Sequence, residues 1–413
     1  MTRVLAFYLP QFHPIPENDA WWGKGFTEWT NVRRAKPLYA NHEQPRVPLN
    51  ENYYRLDDVA TLRWQAGLMS QYGVDGACFY HYWFNGKLLL QTPIELLLSN
   101  PDVEMPFCIS WANEPWTRTW SGKHRDVIMA QEYGSEADWE RHFAYLLPFF
   151  RDRRYIKHAG KPLLLIYRAA SIPEFDGMIG FWRRKATEAG LLGLHVVVTN
   201  TGYADDRRYR EHDAALDFEP HSSLIRDRSF LKRIRRRAWT SLRHAWTGLK
   251  SGFRQPLFLH LVDYDEVWQA ILRRPIRDGV YPGTFVDWDN SPRRGANGPL
   301  IFKGFSIEKF AKYFGQKYAQ AAHAKVPFVF VNAWNEWAEG TYLEPDTRRG
   351  MGALEAILAA KGSANRADVT PSSGEIAGEP TREGSRTVAQ PQQVSIQAST
   401  LSAHTEVERQ CSV

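Results

Sequence analysis

The chain has 413 residues, 43% of them hydrophobic, which is enough to bury one large core; with only three Cys it is no disulfide-stapled module. A formal net charge of +6 is modest for this length and does not call for nucleic acid as a partner. No apolar run approaches the roughly 18 residues of a spanning helix, and Met1 to Pro10 carries no leader-like segment, so a cytoplasmic protein, at most peripheral at the inner face of the membrane, is expected.

In chain order, eight short apolar runs rich in β-formers recur: Val4–Leu9, Val74–Tyr80, Pro106–Trp111, Pro162–Tyr167, His195–Thr199, Ala214–Phe218, Gly283–Asp287 and Pro327–Ala333. Helix-period segments lie between them at Asp57–Tyr72, Glu136–Phe150, Pro173–Ala189, Tyr264–Arg274 and Ser306–Ala322. This alternation predicts an α/β fold with a parallel sheet, and eight units predict a closed (β/α)₈ TIM barrel. No Gly-rich phosphate fingerprint follows the first run, which disfavours a nucleotide-binding open sheet.

Two segments stand outside that pattern. An insertion of about residues 222–256 follows the sixth run, and between Arg226 and Arg254 it holds ten Lys or Arg against one acid, Asp227. Leu231, Ile234, Ala238, Leu242, Ala245, Leu249 and Phe253 recur there every three or four residues. They predict a basic amphipathic helix, lying either on an anionic membrane or lipid-linked phosphate or as an ordinary helix packed on the barrel. The barrel is expected to span residues 1–361, closed by a helix around Met351–Lys361, and residues 362–413, without a single aromatic, are expected to form a disordered tail.

Polar and aromatic side chains gather at the C-terminal ends of the runs, where barrel enzymes build their sites. Tyr8, His13, Trp22, Tyr80, His81, Trp83, Asn113, Trp116, Tyr167, Asp287, Trp288, Asp289, Asn335 and Trp337 are the candidates for binding substrate. A 14% aromatic share fits a long cleft whose rings stack on sugars. Neither metal nor cofactor is expected, because His13 and His81 lack His or Cys partners at ligand spacing.

The eighth run ends in Asn332-Ala333-Trp334-Asn335-Glu336-Trp337-Ala338-Glu339-Gly340-Thr341. Two carboxyls among aromatics suit sugar chemistry, which needs one protonated to donate and one ionised to accept or attack. This segment, with Tyr8-Leu9-Pro10-Gln11-Phe12-His13-Pro14-Ile15-Pro16-Glu17-Asn18-Asp19 and Trp21-Trp22-Gly23-Lys24-Gly25-Phe26-Thr27-Glu28-Trp29-Thr30-Asn31, resembles the WbsX-type proteins over residues 1 to about 360. Those are bacterial proteins of polysaccharide and O-antigen gene clusters, named glycosyltransferases and similar to glycoside hydrolase family ninety-nine. The resemblance implies a (β/α)₈ barrel, an oligosaccharide or polysaccharide substrate and a retaining reaction on α-linked, mannose-like glycosides. It further implies that Glu336 draws the proton from the sugar 2-hydroxyl while Glu339, with a raised pKa, protonates the leaving oxygen.

Three alternatives stay open. Asn113-Glu114-Pro115 looks like the acid/base motif of another group of barrel glycosidases, which would make Glu114 the acid and Glu336 the nucleophile. A non-catalytic carbohydrate-binding barrel and a nucleotide-sugar-dependent glycosyltransferase are the other two.

Overall fold

The computed structural model describes residues 1–117, 127–201, 210–226 and 259–369. All eight expected runs are strands: β1 Arg3–Tyr8, β2 Gly76–Phe84, β3 Phe107–Trp111, β4 Lys161–Ile166, β5 His195–Asn200, β6 Ala214–Asp217, β7 in two pieces, Val280–Tyr281 and Gly283–Phe285, and β8 Phe328–Asn332. Every neighbouring pair is parallel and the order around the sheet follows the chain, with β8 beside β1. Both faces of such strands are covered, so they read as unbroken apolar runs rather than as alternation.

Pro282 explains the broken seventh strand. It has no N–H for the ladder, so the piece before it pairs with β6, Ala215 opposite Val280, and the piece after it with β8, Gly283 opposite Phe330. The carbonyl of Pro282 still accepts from Phe330 N at 3.0 Å. At Gly283 a Cβ would stand 1.9 Å from the Asp217 carbonyl oxygen, so only glycine lets β6 and β7 approach this closely and the ring close.

The helices follow in chain order: α1 Pro16–Trp22 and α2 Glu28–Arg34 in the first connection, α3 Val59–Tyr72, α4 Thr92–Ser99, α5 Glu136–Arg151, α6 Phe175–Glu188, α7 His221–Arg226, α8 Tyr264–Arg273, α9 Ser291–Arg294, α10 Ile307–His323 and α11 Gly352–Val369. The final helix thus runs past Lys361. The basic segment that predicts a membrane-facing helix falls, beyond Arg226, outside the described residues, as does the chain after Val369 that predicts a disordered tail.

Within the ring, Phe7, Tyr80, Tyr167 and Phe218 form a closed layer, with centroids 5.4 Å apart for Phe7–Tyr80, 6.5 Å for Tyr80–Tyr167, 5.4 Å for Tyr167–Phe218 and 5.0 Å for Phe7–Phe218. They come from or just beyond β1, β2, β4 and β6, the layered interior by which such barrels fill their centre. This layer is the floor on which the candidate site stands.

Candidate active site

Past β8 the backbone makes a miniature hairpin. Asn335–Glu336 pairs antiparallel with Thr341–Tyr342, and a single 3₁₀ turn, Trp337–Glu339, joins them. Gly340 closes the turn at φ 69°, and a Cβ there would lie 2.8 Å from Asp289 N, so both the left-handed backbone and the space require glycine. Asn335 holds the hairpin to β1, its Oδ1 accepting from Leu9 N at 2.7 Å and its Nδ2 donating to Leu9 O at 3.0 Å. Beneath it the buried Glu344 accepts from Trp337 Nε1 at 2.6 Å, Gln65 Nε2 at 2.7 Å and Tyr54 OH at 2.8 Å. A turn so tightly held fixes where Glu336 and Glu339 point.

Between the two acids sits Arg293, on the short α9. Asp289 Oδ1 accepts from Ser291 N at 3.0 Å, and Asp289 N donates to Glu339 O at 2.7 Å, which ties α9 to the hairpin. From there the guanidinium reaches three carboxylates: Nη2 meets Glu336 Oε2 at 2.7 Å, Nη1 meets Glu339 Oε1 at 2.5 Å and Nε donates to Glu28 Oε1 at 2.7 Å. Glu28 opens α2 and is wholly buried, its N–H donating to Gln11 O at 2.9 Å.

One cation against three acids in a buried place has an electrostatic consequence. Burial pushes Glu336 up to about 8, with Arg293 opposing and Glu339 and Glu28 adding to the rise. Glu28 is raised for the same reason, burial first, against Arg293. Burial works against the charge of Arg293, yet the carboxylates of Glu28, Glu339 and Glu336 outweigh it and hold the guanidinium above its ordinary value. Glu336, whose side chain is 7% exposed, is therefore raised, whereas the expected division of labour has it ionised to take a proton.

These groups open on a cleft of about 370 Å³. Tyr80, Tyr167 and Phe218 make its floor, Trp22 and Trp116 offer indole rings, and Gln11, Tyr82 and His221 offer polar groups. Burial lowers the pKa of His221, which keeps its imidazole neutral near pH 7 as a hydroxyl partner. On another wall, Arg168 donates from Nε to Glu114 Oε1 and from Nη1 to Thr201 Oγ1, both at 2.6 Å. A proton donor at Glu114 would have to give up that contact.

Of the residues expected from sequence, the cleft brings together Glu336, Glu339, Glu114, Trp22, Tyr80, Trp116 and Tyr167. The others stand away from its lining, and the strand pleat accounts for several, since successive side chains face opposite sides. Tyr80 and Tyr82 face the cleft; His81 and Trp83 face outward, where His81 Nε2 lies 2.8 Å from His142 Nε2 and Trp83 stacks on His142 at 4.5 Å. Tyr8 likewise faces α3, donating to Gln65 Oε1 at 2.6 Å.

His13 is buried away from the cleft. Asn113 takes a positioning place, its Oδ1 accepting from Arg168 N at 2.8 Å. Asp287 pairs with Arg46 at 2.7 Å, and Asp289 with His42 at 2.8 Å and Gln44 at 2.7 Å, so these two carboxylates hold the β7 loop. Trp288 is buried edge-on against His221, and Trp337 stacks on Tyr342 at 3.8 Å. Among the described residues no group of three or more His, Cys, Asp or Glu is arranged to hold a metal ion.

Sequence reasoning missed Arg293, Glu28, Arg168 and His221. Arg293 and Arg168 follow Asp289-Asn290-Ser291-Pro292 and Tyr167 directly, and a cation beside a strand-end acid or aromatic was the available signal.

The model of the family described as Glycosyltransferase WbsX matches residues 4–357. The chain belongs to the WbsX family. The chain is 37% identical over 360 residues to the uncharacterized protein WxcX of Xanthomonas campestris pv. campestris, covering 86% of the chain and 49% of WxcX. This WbsX-family chain thus spans about half the length of the curated relatives it matches. In fold it is similar to the GH99 endo-α-mannosidase from Bacteroides thetaiotaomicron, with a TM-score of 0.50, 12% identity and coverage of 89% and 99% of the two chains. A solved glycoside hydrolase-like protein is similar at a TM-score of 0.52 and 13% identity, over 87% and 93%. At such identities the likeness concerns the barrel.

Proposed function

We propose that this WbsX-family barrel cleaves or transfers α-linked, mannose-like bonds of a bacterial polysaccharide or O-antigen oligosaccharide, with retention of configuration. The observation that carries the reading is the pair Glu336 and Glu339, three residues apart, clamped by one arginine at the edge of an aromatic-floored cleft. In the neighbouring-group form, Glu336 takes the proton of the sugar 2-hydroxyl, whose oxygen attacks the anomeric carbon as the glycosidic bond breaks. Glu339 gives its proton to the leaving oxygen, then takes one from the water or acceptor hydroxyl that attacks the anomeric carbon, while the bond from that carbon to the 2-oxygen breaks and Glu336 returns its proton to the 2-oxygen. A base with a raised pKa is the stronger base once ionised, so kcat/KM rises with pH through about 8 in this form.

The proton that burial keeps on Glu336 favours a second reading, in which Glu336 donates and the more exposed Glu339 works ionised. The same limb then falls with pH, so the sign of the slope separates the two. A nucleotide-sugar transferase built on Asp-x-Asp is less favoured, because Asp287 and Asp289 are already taken by Arg46, His42 and Gln44. The test is ¹H NMR of the first product released from a defined α-mannosyl oligosaccharide, with and without an acceptor sugar. A retained anomer supports the proposal; an inverted anomer, or no turnover across a panel of α-linked substrates, would sink it.

A further inference from the structure

The segment Gly25-Phe26-Thr27-Glu28-Trp29 is part of the family motif, yet Glu28 does not line the cleft and the reaction above gives it no part. Its position argues for one. The carboxylate is wholly buried and reaches the site through Arg293 Nε at 2.7 Å, while Glu28 Oε2 has no hydrogen-bond partner among the described residues. A buried acid left half satisfied costs free energy of folding. Nor does packing need it, since an amide of the same shape would fill the space. What an amide would lack is the negative charge.

Charge is what the geometry makes consequential. The guanidinium is shared among three carboxylates, Glu28 Oε1 meeting both Nε and Nη2 at 2.7 Å, and α9, which carries it, is fixed by Asp289 and Asn290. Were all four groups ionised the cluster would hold two net negative charges out of water, which burial opposes strongly. Each carboxylate therefore bears on the protonation of the other two. Deleting one negative charge at hydrogen-bond distance from the shared cation leaves that cation to the other two. The remaining groups that face the cluster are the phenols Tyr80 and Tyr82, both held protonated by burial, the neutral His221, and the Arg168–Glu114 pair on another wall. None of these sits on Arg293 as Glu28 does.

We propose that Glu28, acting through Arg293, is a positioning residue that sets how a proton is held between Glu336 and Glu339, so that this buried cluster rather than the catalytic hairpin alone defines the acid–base state of the site. The inference rests on the assignment of Glu336 and Glu339 as the working acids, but it can be read without turnover.

The full chain, labelled with ¹³Cδ-glutamate, is titrated by NMR, with Glu336→Gln supplying the assignment by the signal it removes. In Glu28→Gln the Glu336 midpoint is expected to move down by about one pH unit or more, because a like charge is gone and Arg293 serves two acids instead of three. Arg293→Gln is expected to move it up. Glu28→Asp, which keeps the charge, should stay closer to the unmodified chain than Glu28→Gln and covers the case in which the amide variant fails to fold. Unshifted midpoints in the folded variants would overturn the clamp. If the midpoints move while no α-glycoside is turned over, the clamp stands and the proposed reaction fails.

Discussion

The cleft has two arginine–carboxylate assemblies, and they are built on opposite plans. At the hairpin, Arg293, with 12% of its side chain exposed, serves Glu28, Glu336 and Glu339; on the other wall Arg168, at 19%, serves Glu114, at 43%, together with the neutral Thr201. The first assembly is short of positive charge and mostly buried, so burial favours keeping a proton on Glu336. The second is balanced and wet, the setting in which an ion pair contributes little to stability. On the proposed reading, imbalance under burial suits Glu336 to proton transfer, and balance in contact with water suits Glu114 to positioning.

The sharpest break of that comparison is activity. Glu336→Gln is expected to lower turnover of every α-linked substrate by roughly 10² to 10⁴, the usual worth of acid–base help. Glu339→Gln should lose as much on natural linkages and keep far more on an activated aryl glycoside, whose leaving group needs no protonation; equal losses on both substrates would remove Glu339 from the donor role. Steady-state kinetics on the two substrate types gives the answer.

Stability against pH is the next largest difference. Glu336 titrates near 4.5 when unfolded and at about 8 in the fold, so the native state binds the extra proton between those values. The stability this contributes is fully present below about 4.5 and is lost as pH rises through about 8. Thermal melts should therefore fall over that window, and Glu336→Gln should melt several degrees above the unmodified chain at pH 8.5 while Glu114→Gln does not. Parallel pH profiles for all three proteins would show that the hairpin cluster stores no such penalty.

The smallest effect belongs to Arg168→Met. Losing a partly exposed pair is expected to change the melting temperature by no more than a degree or two and to raise KM about tenfold or less with kcat little changed. A collapse of kcat would mean that the two assemblies are not built on different plans after all.

The barrel was legible because its signals are local. Eight apolar runs alternate with five helix-period segments whose ends fall within a residue or two of α3, α5, α6, α8 and α10, and buried parallel strands announce themselves without needing a partner. Half of the site was legible for the same reason, Glu336 and Glu339 standing side by side in one turn. The pleat hid part of the rest, since Tyr80-His81-Tyr82-Trp83 reads as one aromatic patch until alternate side chains part to opposite faces. Distance in sequence hid the remainder. Glu28, Arg293 and Glu336 belong to the connections after β1, β7 and β8, and only closure of the ring brings them within 3 Å.

The central claim is that the crowded carboxylates, and not the balanced one, carry the chemistry, and the most direct measurement sets Glu336→Gln against Glu114→Gln in kcat/KM on one defined α-linked oligosaccharide. The account predicts a loss of at least about a hundredfold for Glu336→Gln and about tenfold or less for Glu114→Gln. Retained activity in Glu336→Gln with a hundredfold loss in Glu114→Gln would contradict it.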